Sequence, residues 1–238
     1  MIRKFLAFLL IFQLTACAEL QEIAKQFPQS GGVGNTEIAS GLRQALDFGI
    51  DKQVTKLTQT DGFFKNAEIK LPFPEDAKKV KEYASKLGLE SQIVKVEETL
   101  NRAAEEAAKE ATPIFINSIK NMSIQDGFAL LKGGEGSATT FLKNTTTEEL
   151  KKAFRPKVQA AIDKVKLTQY WEPVISKYNM STLITGQEKI NPDLNEYVLD
   201  KSIEGLFKMV EKEENKIRKD PGARVSGLLQ KVFGSLGK

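Results

Sequence analysis

Apolar and polar positions change their spacing along the chain. An unbroken apolar run, Phe5 to Phe12, follows Arg3-Lys4 and stops at Gln13. Pro28-Gln29-Ser30-Gly31-Gly32-Val33-Gly34-Asn35 is nearly devoid of apolar side chains and reads as a flexible linker. From Thr36 onward apolar residues recur every three to four positions, the period of one helix face. Ile38, Leu42, Leu46, Ile50, Val54 and Leu57 define the first such helix, with Asn35 or Thr36 as N-cap and Thr60-Asp61-Gly62 as its end. Ile69-Lys70-Leu71-Pro72-Phe73-Pro74 must be extended, because two prolines forbid a helix interior. It is the one β-like segment, with room for a short hairpin partner.

Pro74-Glu75-Asp76 starts a second helix and Gly88 stops it. A long pattern runs from Glu90 to about Asn121, with Ile93, Val96, Leu100, Ala103, Ala107 and Ala111 on its apolar side. Its alanines invite close approach of a neighbour, and Pro113 should kink or split it. Ser123-Ile124-Gln125-Asp126 resembles a capping box for a helix ending at Gly133-Gly134. Ser137 caps a short helix, Thr146-Thr147-Glu148-Glu149 opens the next, and Pro156 divides that from a helix through Lys166. Tyr170 to Tyr178 reads as helix and 179–191 as loop. Asn191-Pro192 starts a short helical stretch, and Asp200 to Arg218 is strongly helical. Asp220-Pro221 caps a last helix bearing Val225, Leu228, Leu229, Val232 and Phe233, which should dock onto the domain. The pattern predicts a single all-α, multi-helix domain over residues 36–238, with at most one short β-hairpin.

The N-terminal run is too short to span a bilayer, which takes roughly 20 apolar residues. A basic start, an apolar stretch and small residues before a cut form a secretory signal. Leu14-Thr15-Ala16-Cys17 looks like a bacterial lipobox, and Cys17 is the only cysteine in the chain. This division gives a lipoprotein signal peptide over 1–16, a lipidated tether over 17–35 and the helical domain beyond. Acyl chains on Cys17 would anchor the protein at roughly 0.8 kcal/mol per buried methylene. Ala18, rather than aspartate, favours the outer membrane by analogy with Gram-negative lipoproteins, the domain facing the periplasm.

Composition narrows the chemistry. The 238 residues contain no histidine. That removes imidazole bases, serine and cysteine nucleophiles activated by histidine, and histidine-bearing zinc sites. One cysteine excludes an internal disulfide or an iron–sulfur cage. Lys and Arg number 35 against 31 Asp and Glu, a formal +4. Loss of Arg3 and Lys4 with the signal leaves 33 against 31, or +2. No basic face of the kind that binds nucleic acid stands out. No metal set and no cofactor motif is predicted.

Several blocks occur together in order: Asn35-Thr36-Glu37-Ile38-Ala39-Ser40-Gly41-Leu42-Arg43-Gln44-Ala45-Leu46, Asp61-Gly62-Phe63, Ile69-Lys70-Leu71-Pro72, Asn101-Arg102-Ala103-Ala104-Glu105 and Tyr197-Val198. Gly205-Leu206-Phe207, Glu213-Glu214, Ile217-Arg218, Asp220-Pro221 and Val232-Phe233-Gly234 follow. From Thr36 to Gly234 the chain resembles the bacterial envelope lipoprotein family called domain of unknown function 4197. It departs from that family's pattern at Leu100, usually methionine, at Gly127, usually alanine, and at Phe141, commonly tyrosine. The resemblance implies no reaction, substrate or cofactor.

Asn101, Arg102 and Glu105 form the most informative polar cluster, three to four residues apart on one helix. Such a set either receives a polar ligand or clasps a neighbouring segment; structural ion pairs commonly look the same. The acid pairs Glu97-Glu98, Glu105-Glu106, Glu148-Glu149 and Glu213-Glu214 suggest a two-carboxylate hydrolase only if carboxylates from different helices converge. Solvated faces and caps are their ordinary role. Gly133-Gly134-Glu135-Gly136-Ser137 follows a helix and lacks the Lys-Ser/Thr ending of a phosphate loop. Tyr170-Trp171 offers a stacking surface or a half-buried pair. The reading that best fits is a lipid-anchored, non-enzymatic binding or structural module, whose partner is an envelope protein, polymer or lipid. A carboxylate-based envelope hydrolase and a lipid carrier are the alternatives.

Overall fold

The computed structural model describes residues 35–74, 78–164, 167–190, 193–224 and 226–234. The segment expected to be a signal peptide, Cys17 and nearly all of the expected tether lie outside the described residues, as do the side chains of Tyr170, Trp171, Leu228 and Leu229. The helices are α1 (Asn35–Leu57), α2 (Lys78–Lys86), α3 (Glu90–Ala107), α4 (Ala111–Asn121), α5 (Ile124–Lys132), α6 (Ser137–Lys164), α7 (Leu167–Thr185), α8 (Asn195–Lys219) and α9 (Gly227–Gly234). Short 3₁₀ turns occupy Ala108–Glu110 and Pro221–Ala223. Among the described residues there is no strand, and no helix is long and apolar enough to cross a membrane.

The centre is α3 packed against α6 and α8. Ala103, Ala104, Ala107, Ala108 and Ala111 are all fully buried, so the helix backbones approach without bulky side chains between them. Phe115 and Phe207 close the middle, their ring centroids 5.7 Å apart. α6 and α8 run antiparallel: Glu214 near the end of α8 meets the start of α6, and Arg155 far along α6 pairs with Glu196 at the start of α8. A second, smaller apolar cluster joins Leu42 and Ala45 of α1, Phe128 and Leu131 of α5, and Val232 and Phe233 of α9. The last helix therefore docks, as its apolar side chains predict.

Several sequence signals act as expected. Gly88 has φ +70° and ends α2. Ser123 and Asp126 exchange both bonds of a capping box. The long alanine-rich pattern splits at Ala108–Glu110, and Pro113 lies in the first turn of α4, where its missing N–H does least harm.

Other boundaries differ. α6 is one helix of 28 residues rather than three pieces. Thr145, Thr146 and Thr147 do not cap; their hydroxyls donate to the carbonyls of Phe141, Leu142 and Lys143, one turn back within the helix. Pro156 sits inside α6 with its ring toward solvent. Buried Leu150, Phe154, Val158 and Ile162 hold the helix together on both sides of it. α7 continues through 179–185, a stretch that reads as loop from sequence.

Candidate functional site

The site is built on the turn after α1. A Cβ on Gly62 would lie 2.4 Å from the Leu57 carbonyl oxygen, so the chain can fold back over α1 only with glycine there. Asp61 before it adopts φ +72°, a conformation aspartate tolerates better than most residues. This turn aims the N–H groups of Phe63 and Phe64 at α3. Glu105 Oε1 accepts both, at 3.1 and 3.3 Å.

Glu105 Oε2 accepts from Arg102 Nη1 at 2.8 Å, and Arg102 Nη2 donates to Asp61 Oδ1 at 2.7 Å. Lys65 meets the other Asp61 oxygen at 2.8 Å. Hydrogen bonds from Lys65 and then Arg102 hold the Asp61 carboxyl below its ordinary range. Arg102 and Lys70 also lie over the Phe64 ring, 5.5 and 4.7 Å from its centroid. Glu106 takes no part; it pairs with Lys109 at the surface.

One residue earlier on α3, fully buried Asn101 holds the extended segment. Its Oδ1 accepts from Leu71 N–H at 2.8 Å, and its Nδ2 donates to the Leu71 carbonyl at 2.9 Å and to the Glu97 carbonyl at 2.7 Å. Paired N–H and C=O bonds to one residue are what a neighbouring strand would give. The hairpin partner allowed for by the sequence is thus replaced by a single amide side chain. Asn179 repeats the device on Ile190, accepting its N–H at 2.9 Å and donating to its carbonyl at 3.0 Å.

Asn101, Arg102 and Glu105 therefore converge on one object, the loop from Asp61 to Leu71. Both Glu105 oxygens and all the strong bonds of the Asn101 amide are directed at protein groups. Chemically the arrangement is a clasp. On its outer side lies an open groove of about 430 Å³ between this loop and α8. Tyr197 Oη donates to the Pro72 carbonyl and Lys208 Nζ to the Glu68 carbonyl, which fixes the groove wall. Its rim carries Lys70, Lys201 and Lys208 with Glu68 and Glu204.

A second polar cluster escaped sequence reasoning. Glu213 and Glu214 are both buried. Glu213 accepts from Lys52 at 2.5 Å and Gln53 at 2.6 Å, tying α8 to α1. Glu214 takes the N–H groups of Ala138 and Thr139 at 3.0 and 2.9 Å, with the Thr139 hydroxyl at 2.8 Å. The start of α6, with its positive dipole end, is thus filled by the protein's own carboxylate. Arg218, one turn on, bonds Glu214 and donates to the Leu130 carbonyl at the end of α5. The glycine-rich turn between α5 and α6 is a helix junction clamped from α8. The family block Glu213-Glu214 with Ile217-Arg218 was its only sequence signal, because the partners lie 75 or more residues away.

The acid pairs accordingly separate: Glu105, Glu213 and Glu214 are buried and engaged, Glu148 and Glu149 are exposed. On α1, Asp47 Oδ1 and Arg43 Nε are buried without a hydrogen-bond partner. Burial pushes the Asp47 carboxyl up, against an opposing pull from Lys120. Among the described residues no set of three or more acidic or cysteine side chains is placed to hold a metal ion. At the end of α7, Met180, Leu183 and Ile184 are 68, 75 and 92% exposed.

No curated protein and no solved structure matches the chain. One family does, over residues 32–234, a span that includes the Asp61–Arg102–Glu105 clasp, the Asn101–Leu71 tie and the Glu214–Arg218 junction. The chain belongs to the family described as protein of unknown function (DUF4197).

Proposed function

We propose that this is a lipid-anchored protein of the bacterial envelope, held through Cys17, whose helical domain serves as a non-enzymatic binding or structural module on the periplasmic side. The observation that supports it most is how the polar clusters are spent. Glu105 and Glu214, the best-placed buried carboxylates, each accept two backbone N–H groups and an arginine. A hydrolytic pair needs carboxyls that face a substrate across open space. These face main chain. Among the described residues, the end of α7 leaves three large apolar side chains exposed close together. A lipid carrier would call for an enclosed apolar chamber; the groove beside the clasp instead has charged walls.

Two measurements test the reading. Metabolic labelling with an acyl probe should mark the wild-type protein and not Cys17→Ser; equal labelling of both sinks the anchor. Purified protein assayed on peptidoglycan and phospholipid substrates should release no product. Turnover abolished by Glu105→Gln in a variant that still folds would instead establish the hydrolase.

A further inference from the structure

We propose that the end of α7 is a membrane-contact tip: Met180, Leu183 and Ile184 enter the surface of the phospholipid leaflet that carries the Cys17 anchor. The inference rests on the anchored reading above and assigns the apolar patch its occupant. Three large aliphatic side chains within five residues stand in water at a helix end. They project from a fastened support. Asn179 ties Ile190 with two hydrogen bonds, and Tyr178 Oη donates to Gln187 at 2.9 Å, so the return loop is pinned behind the tip.

The chemistry of the patch favours lipid over protein. Protein contact sites draw their energy mainly from Trp, Tyr and Arg, with leucine under-represented. The tip has only aliphatic and thioether side chains. Side chains this exposed at a helix end suit shallow insertion among lipids. Lys177 and Lys189, both exposed, flank it in sequence and can meet anionic headgroups; the acids of the return loop are Glu188 and, farther along, Asp193. Reach decides whether the same membrane is accessible. α7 packs on α2, α3 and α6, whereas the root of the tether, at the start of α1, lies with α5 and α9. α7 and the start of α1 thus pack on different helices. The 17 residues from Ala18 to Gly34 span up to about 60 Å when extended. A domain of this size is roughly 45 Å across. The tether is therefore long enough to let the tip meet the anchoring leaflet wherever it lies on the domain.

The test uses the full lipidated chain in vesicles of phosphatidylethanolamine and phosphatidylglycerol. Met180→Cys carries an environment-sensitive thiol-linked fluorophore, with Glu148→Cys, exposed on α6, as the reference position. Expected are a blue shift and strong quenching by nitroxide lipids at position 180, little of either at 148, and loss of both when Ile184→Asp is added. A water-like spectrum at 180 in protein that floats with the vesicles overturns the tip and leaves the anchor standing. A blue shift without nitroxide quenching also overturns it, and points to burial against a second copy. Failure to float overturns the tip; if mass spectrometry then finds Cys17 unacylated, the anchor reading falls as well.

Discussion

Replacing Asn101 with alanine isolates what the clasp contributes. The side chain is fully buried, and its loss orphans the N–H and carbonyl of Leu71, itself 1% exposed. Each buried backbone group left unpaired costs about 1–3 kcal/mol. Removing both, less some relief from water entering the space, gives a loss of about 2–5 kcal/mol. For a chain of this length each kcal/mol lowers Tm by about 2–4 °C, so a fall of roughly 4–20 °C is expected. Urea unfolding followed by far-ultraviolet circular dichroism measures the global effect, and hydrogen exchange at the Leu71 amide measures the local one. Asn101→Asp sharpens the test. It keeps the acceptor for Leu71 N–H but turns a carboxylate oxygen toward the Leu71 and Glu97 carbonyls. It should be at least as damaging at neutral pH and partly relieved in acid, where a protonated carboxyl can donate. A stability within about 0.5 kcal/mol of the parent, with Leu71 still protected from exchange, would refute the strand-substitute role of Asn101.

Gly205→Ala puts a Cβ 2.9 Å from Phe63 Cε1 and 3.2 Å from Ile69 Cβ, and overpacking of this kind costs about 1–3 kcal/mol; a neutral denaturation midpoint would show that the α8 contact yields freely. Pro156→Ala restores a donor inside α6 and should raise stability by up to about 3 kcal/mol, measured by the same unfolding curves. Asp61 is held below its ordinary range in the folded protein, so its contribution is complete above the unfolded value near 3.8 and is lost as pH falls through the lower folded value. Asp61→Asn should therefore flatten the acid side of the stability profile; an unchanged profile contradicts the ion-pair account. Asp47 has the opposite sign, its raised folded value making the charged form unfavourable at neutral pH. Asp47→Asn should stabilise there, and the gain should shrink as acid protonates the parent.

What the sequence made legible was local. Ser123 with Asp126 lies within one helical turn of its own partner, and Gly88 ends its helix by its own backbone freedom. The alanine face of α3 predicts close packing without naming the neighbour. Where chemistry is ambiguous at short range, the outcome is decided by distant packing. A threonine hydroxyl serves an N-cap or bonds one turn back within a helix, and only the packing of Leu142 and Leu150 on either side decides that Thr146 does the latter. Pro156 breaks a helix unless both flanks are held, and Phe154 and Val158 hold them. The candidate cluster at Asn101, Arg102 and Glu105 was visible as a set of residue types at helical spacing. Its targets, Leu71, Asp61 and Phe63, lie 30 to 42 residues away. Adjacent acids such as Glu213 and Glu214 are equally polar whether they face water or two different helices.

The junction between α5 and α6 has a consequence for chain continuity. Arg218 grips the end of one helix and Glu214 the start of the next, while Asn215 accepts the Gly136 N–H at 3.1 Å. The bond between Gly134 and Glu135 is then mechanically redundant: both helix ends are fastened to a third element that the cut would not touch. A protease nick there should leave two fragments that stay together through purification and separate only when the domain unfolds. α8 acts as an internal splint, and the connecting turn is free to vary in length without altering how the two helices meet.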